Sequence, residues 1–293
     1  MTRVAVVVNP ASGGTEDARA AALETLRSVG EVVPIHSDSL ETFDDAVRSA
    51  TGDVEFVVVV GGDGTLNCTI NALADRLDDL VFALVPMGTG NDLARTLGLM
   101  DDPPEEVARG IASWPEIELD VGRARGRDVE RLFVNACMGG FPVQVDTAIE
   151  GMVKDRLGPL AFWVGGALAA LDLERSRVTV NGREVEDCVA VGVGNGRTAG
   201  GGIEVWPSAD PSDGALDVVV LPVANIVDAA KLVTKVRGGD HVELPEVRSW
   251  RGAEIEVAAD PPMGFNVDGE LVGLETPVRF EVAGRIRFRG PRR

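Results

Sequence analysis

Seven residues, Gly61-Gly62-Asp63-Gly64-Thr65-Leu66-Asn67, combine what a phosphate-binding turn needs. The run Val57–Val60 ahead of them reads as a buried strand, and the residues behind them open a helix. Glycines let the backbone approach a ligand closely and accept positive φ. A helix start aims unpaired N–H groups and the positive end of its dipole at an anion. Asp63 falls where a carboxylate either caps that helix or faces Mg²⁺. The plain alternative is a strand-to-helix turn with Asp63 as its N-cap.

A second segment repeats the logic. Val81–Val85 reads as a strand and leads into Pro86-Met87-Gly88-Thr89-Gly90-Asn91-Asp92-Leu93-Ala94-Arg95. Two such loops on adjacent strands would line one side of a nucleotide site. Neither is a Walker A loop, because no GxxxxGK[ST] occurs in the chain. A GxGxxG turn in βαβ context is also missing, which disfavours a dinucleotide-binding dehydrogenase.

The elements that position these loops follow from hydrophobic pattern. Strands are expected at Val4–Val8, Val32–Ile35, Phe56–Val60 and Val81–Val85, nearly continuous in apolar residues. Helices are expected at Thr15–Val29, Leu40–Ala50 and Thr65–Leu77, then near Asn91–Leu97 and Glu105–Ser113. Alternation of this kind predicts a doubly wound parallel α/β sheet. After Trp114-Pro115 strands predominate: Glu118–Arg123, Arg131–Ala136, Arg177–Val180, Glu184–Val193, Ala215–Leu221, Glu243–Trp250, Glu254–Ala258, Phe265–Val267 and Val278–Val282. Asn181-Gly182 is a two-residue hairpin signal. Helices interrupt near Leu157–Leu173 and Asn225–Val236. The expected fold class is therefore α/β with two domains, a nucleotide domain over 1–115 and a β-rich, sandwich-like domain over 116–293. The cleft between them is the natural place for an active site.

Here a resemblance becomes specific. GGDGTLN (Gly61–Asn67) with PMGTGNDLAR (Pro86–Arg95) resembles the catalytic domain of the diacylglycerol kinase and sphingosine kinase superfamily, its prokaryotic soluble lipid kinases above all. Further matches follow in order along the chain. They are Asn9-Pro10-Ala11-Ser12-Gly13-Gly14, Asp120-Val121-Gly122 with Phe133-Val134-Asn135, Gly194-Asn195-Gly196, Gly200–Gly202, Ser212–Asp217 and Asn266–Glu270. The resemblance implies ATP in the interdomain cleft. It puts the phosphates on Gly61, Gly62, Asp63, Gly64, Thr65, Leu66 and Asn67, with Asn9 and Thr89 nearby and Ser37 toward the adenine side. It implies Glu270, with Asp268 beside it, as the group that takes the proton of a lipid hydroxyl, and Asp63 as a further catalytic carboxylate. It also implies a second, structural Mg²⁺ on the Asp213 carboxylate and backbone carbonyls around Asp210 and Ala215. One departure is Cys68, which stands where the family often has Glu or Asp.

On these grounds the expected activity is ATP- and Mg²⁺-dependent phosphorylation of diacylglycerol or an ether-linked relative. A kinase of a soluble acceptor resembling NAD kinase and a non-catalytic binding homologue are the rivals. Leu157–Leu171 is apolar on nearly every face, so it is either a core helix or a lipid-facing wall with Phe162 and Trp163 at the interface. It is shorter than the roughly 20 residues that span a bilayer. The expected location is cytoplasmic and peripheral to the membrane, and a homodimer is compatible with this reading.

Composition bounds the partners. The 293 residues carry a net charge of -19, which argues against nucleic acid. Lys154, Lys231 and Lys235 are the only lysines, and tyrosine is absent. An acidic, lysine-poor surface resembles that of proteins from salt-loving cells, which predicts a halophilic archaeal source. Cys68, Cys137 and Cys188 show no metal or disulfide spacing, so reduced thiols are expected.

Overall fold

Valine-rich runs become the strands β1 (Arg3–Val8), β3 (Phe56–Gly61) and β4 (Val81–Pro86), and past the first residue of β1 every position in them is buried. The computed structural model describes residues 3–9, 13–35, 40–140, 175–236 and 238–291. Ser37, the Pro10–Ser12 part of the first turn and the helix expected at Leu157–Leu171, with Phe162 and Trp163, lie outside the described residues.

The chain divides into two units, 1–121 with 284–293, and 122–283. This differs from a single break after residue 115, because a C-terminal segment rejoins the first unit. Strands β5 (Glu116–Arg125) and β15 (Val278–Arg289) each carry the chain from one unit to the other.

In the first unit the strands run parallel in the order β2, β1, β3, β4 and the end of β15. β2 (Glu31–Ile35) lies at the edge and holds Pro34, a residue with no ladder N–H that an edge tolerates. Crossover helices are α1 (Glu16–Leu26), α2 (Leu40–Ala50), α3 (Asp63–Ala72), α4 (Asp92–Thr96) and α5 (Pro104–Ile111). The Thr15 hydroxyl caps α1 by accepting from Ala18 N at 3.2 Å, and Glu16 and Asp17 suit the positive helix end. Ala22 and Leu26 of α1 meet Ala108 and Ile111 of α5 in a core closed by Val4, Val6, Val58 and Val60. The order β2-β1-β3 is a topological switch, and ligands of open α/β sheets bind beyond the strand ends there.

The second unit is antiparallel, with the order β14, β13, β7, β9, β8, β12, β15. These are β7 (Ala136–Gly140), β8 (Ser176–Val180), β9 (Arg183–Gly194), β12 (Glu254–Asp260), β13 (Gly264–Val267) and β14 (Glu270–Glu275). β9 is long enough to serve two partnerships: its first half pairs with β8, and its second half lies between β7 and β10 (Leu216–Pro222). The β8–β9 hairpin turns on Asn181 and Gly182, both at positive φ, as that dipeptide predicts. Outer strands are β6 (Glu130–Phe133) on β5 and β11 (Arg248–Gly252) on β10; α6 (Ile226–Val236) completes the set. Phe280 centres the core, 6.3 Å from the Phe133 ring edge-on and 5.3 Å from Phe265. Truncating one of these buried rings to Ala costs about 3–5 kcal/mol.

Candidate functional site

Asn9 follows β1, Gly61 ends β3, and Pro86 ends β4, so three adjacent strand ends deliver their loops to one edge of the first unit's sheet. Backbone bonds tie them: Asn9 N donates to Val60 O at 3.3 Å, Met87 N to Gly61 O at 2.8 Å, and Gly14 N to Met87 O at 3.2 Å. The Asn9 side chain adds a bond from Nδ2 to Thr65 Oγ1 at 3.0 Å. Thr65 and Asn67 are buried in α3, and Leu66 sits wholly in the core with its N–H donated to Gly62 O at 3.1 Å, so Leu66 braces the turn and offers a ligand no side chain. Thr89 is exposed, and a side chain on Gly13 would begin 3.5 Å from its hydroxyl.

The glycines of these loops act through proximity and not through positive φ. Gly61, Gly62, Gly88 and Gly90 all lie outside the left-handed region. Instead, a Cβ on Gly88 would come within 2.5 Å of Gly62 Cα, and a Cβ on Gly62 within 2.9 Å of Gly88 Cα. The two loops touch backbone to backbone, and any side chain would drive them apart. The left-handed residue is Asn91, at φ 52°, whose side chain turns back on Gly88 with bonds of 2.9 and 2.7 Å.

That turn decides what Asp63 does. Asn91 spends its amide on Gly88 and gives α4 no side-chain cap. Asp63 caps α4 in its place, accepting from Asp92 N at 2.7 Å and Leu93 N at 3.2 Å. The alternative in which Asp63 caps its own helix does not hold: Gly62 is the N-cap residue of α3, without a side-chain bond. A side chain at Gly90 would start 3.4 Å from Asp92 Oδ2 and 3.5 Å from Asp63 Oδ2. Two carboxylates beside an open glycine fit Mg²⁺, which takes one or two carboxylates and completes its shell with phosphate and water oxygens. Asp92 was not among the residues expected to act. The signal was present in its place at the helix start of the second loop.

In the second unit Asp268 and Gly269 form the two-residue turn between β13 and β14, at φ 47° and 86°. The Asp268 side chain is buried, and its carboxylate accepts from Val134 N, Asn135 N and Ala136 N at 2.8–3.0 Å. Its geometry is that of an anchor between the hairpin and the 134–136 turn. Glu270 stands exposed at the first position of β14.

In the 210–217 loop the residues expected to hold a metal engage protein groups. Asp210 Oδ1 accepts from the Ser212 amide and hydroxyl, and its carbonyl from Asp213 N at 3.4 Å. Asp213 Oδ1 accepts from Ala215 N at 3.1 Å, and Oδ2 is held by the Arg251 guanidinium. Asp217 Oδ2 is buried without a hydrogen bond, 3.6 Å from Arg251 Nε, and burial pushes this carboxyl up to about 6. Among the described residues no three of His, Cys, Asp and Glu cluster as a metal site. Of the residues expected to hold a second Mg²⁺, Asp210, Asp213 and Ala215, the Asp213 carboxylate is thus already engaged by Ala215 N and by Arg251.

Cys68, Cys137 and Cys188 form no disulfide, and burial raises the Cys137 thiol well above its ordinary range and Cys188 to about 12, which keeps both buried thiols protonated. Among the described residues no helix is long and apolar enough to cross a membrane.

Comparison with known proteins matches both halves. The profile of the diacylglycerol kinase catalytic domain covers residues 3–124, and that of the YegS C-terminal NAD kinase beta sandwich-like domain covers 137–286. An α/β unit with these glycine loops followed by a β-rich unit is thus the domain pair of a known kinase class. Two relatives carry the name "Probable lipid kinase YegS-like". The one from Xanthomonas campestris pv. campestris is 34% identical over 98% of this chain and 95% of its own length. The one from Stenotrophomonas maltophilia is 34% identical over 81% and 79%. A solved diacylglycerol kinase structure from Bacillus anthracis str. Sterne superposes with a TM-score of 0.73 at 22% identity, covering 98% of this chain and 96% of that one, which speaks for the fold. The chain belongs to the diacylglycerol kinase superfamily, among the YegS-like lipid kinases.

Proposed function

We propose that the protein transfers the γ-phosphoryl group of ATP to the free hydroxyl of diacylglycerol or an ether-linked analogue. The observation that carries this reading is the interlocked pair of glycine loops at the ends of β3 and β4, with Asp63 fixed onto the second of them. The bare backbone of Gly62 and Gly88 and the first turn of α3 take the phosphates, since leading helix N–H groups lie outside the intrahelical ladder. Asn9 holds Thr65, and with it that turn, against β1. Asp63 and Asp92 would hold Mg²⁺, which would supply charge neutralisation on the phosphate oxygens. In the transfer, the acceptor oxygen bonds to the γ-phosphorus and the bond from that phosphorus to the ADP oxygen breaks. The hydroxyl proton passes to Glu270, which the anchored Asp268 turn presents. The protein meets its lipid as a peripheral enzyme of the cytoplasmic membrane face.

A soluble acceptor is the second reading, favoured by the likeness of the second half to a sandwich of NAD kinase type. Labelled ATP supplied separately with diacylglycerol, archaeal diether lipid, sphingosine and NAD separates them. Label in an organic-extractable phosphatidic acid-type product supports the lipid reading, whereas label found only in water-soluble NADP overturns it.

A further inference from the structure

We propose that Arg251 is the resident cation of the 210–217 loop, and that this loop takes no divalent metal. The placement begins with the ladder. β10 and β11 pair so that Asp217 lies directly opposite Arg251, a register fixed by the main chain and not by the side chains themselves. From that position the guanidinium reaches two carboxylates, bonding Asp213 Oδ2 through Nη2 and lying 3.6 Å from Asp217 Oδ2 through Nε. A planar fork with several donors can bridge carboxylates in this way, whereas an ammonium is a point charge.

The rest of the loop is tied to the same arrangement. The other oxygen of Asp213 accepts from Ala215 N, and Gly214 takes φ 78°, so Asp213 closes a tight turn with one oxygen while Arg251 holds the other. Asp210 is turned toward Ser212. A divalent ion on Asp213 would have to displace the guanidinium or share an oxygen with it, placing like charges a few ångströms apart. Mg²⁺ also loses water reluctantly and needs near-octahedral oxygens. Both Asp213 oxygens and Oδ1 of Asp210 are already in use, Asp217 Oδ2 faces Arg251, and among the described residues no three of His, Cys, Asp and Glu cluster as a metal site. The internal arginine supplies the positive charge permanently, at a position the strands determine. A Mg²⁺ requirement for activity then belongs to the nucleotide alone, while the fold of the second unit is indifferent to chelators.

The test is thermal unfolding of the full chain without nucleotide, in EDTA and in millimolar MgCl₂ at matched ionic strength. The readout is the Mg²⁺-induced shift of Tm in the wild type minus that in Asp213→Asn. The expected difference is zero. Arg251→Gln is expected to lower Tm in EDTA and to recover part of the loss in Mg²⁺, because the vacated carboxylates then attract a metal; Arg251→Lys falls between. A Mg²⁺ shift in the wild type that disappears in Asp213→Asn overturns the proposal, as does an Arg251→Gln protein that melts like the wild type in EDTA. If Arg251→Gln does not fold, the comparison of wild type with Asp213→Asn decides alone.

Discussion

Asp63-Gly64 and Asp268-Gly269 are the same dipeptide, one in each unit, and their surroundings set them to opposite uses. Asp63 opens a helix and stays partly accessible, with its carboxylate on two N–H groups of a neighbouring helix start and a second carboxylate, Asp92, close by. Asp268 takes positive φ in a hairpin, is buried, and gives its carboxylate to three backbone N–H groups. The difference lies in what the adjoining segment offers. Asn91 withdraws from capping α4 and leaves room for Asp63, whereas residues 134–136 turn three donors toward Asp268. A buried acceptor surrounded by donors holds structure; a half-open one beside a bare glycine is available for chemistry.

The contrast can be broken most forcefully at Asp63. Asp63→Asn is expected to abolish phosphoryl transfer, a loss of several kcal/mol in transition-state stabilisation, while the cap on α4 weakens by only about 1 kcal/mol. Turnover assays with saturating Mg²⁺, alongside thermal melts, check this; near-normal turnover would leave Asp63 as a helix cap. Next is Glu270→Gln, expected to lower kcat roughly 100-fold or more. Its stability and ATP affinity should be unchanged, because the side chain is exposed. Collapse of ATP binding on calorimetric titration would refute the proton-acceptor role.

Asp268→Asn should behave in the reverse sense. An amide nitrogen facing a buried N–H leaves it unsatisfied, at a cost of about 1–3 kcal/mol in unfolding free energy. If urea denaturation instead gives an unaltered midpoint while turnover is lost, Asp268 acts in the chemistry and the contrast disappears. The smallest effect concerns the acids that neither pattern describes. With a net charge of -19, the exposed carboxylates repel one another, and unfolding temperature should climb as KCl rises from about 0.1 to 3 M. A flat curve would remove the halophilic reading and leave the contrast between Asp63 and Asp268 as it is.

The first half of the fold was legible because parallel strands covered on both faces read as continuous apolar runs. Val57–Val60 and Val81–Val85 could hardly be anything else. The second half was less so. Glu243–Trp250 reads as one strand, yet Pro245 separates a 3₁₀ turn at Asp240–Glu243 from β11 at Arg248–Gly252. β14 escaped notice because Gly273, at positive φ, interrupts a weak alternation. The run expected at Arg131–Ala136 divides into β6 and β7 where Asp268 draws residues 134–136 into a turn. At the site, the identity of the loops was readable and their contact was not. Nothing local says that Gly88 faces Gly62, or that Arg251 lies opposite Asp217.

The last strand has a consequence for the order of events during synthesis. Residues 287 and 288 complete the parallel sheet of the first unit beside β4, but they follow the whole of the second unit in the chain. Ribosomes add about 5–20 residues per second, so the edge of β4 waits roughly ten to thirty seconds after β5 appears before its partner exists. During that interval the first unit carries an unpaired apolar strand edge, the kind of surface that chaperones cover and neighbouring chains invade. The first unit therefore completes its sheet only after the whole of the second unit has been synthesised.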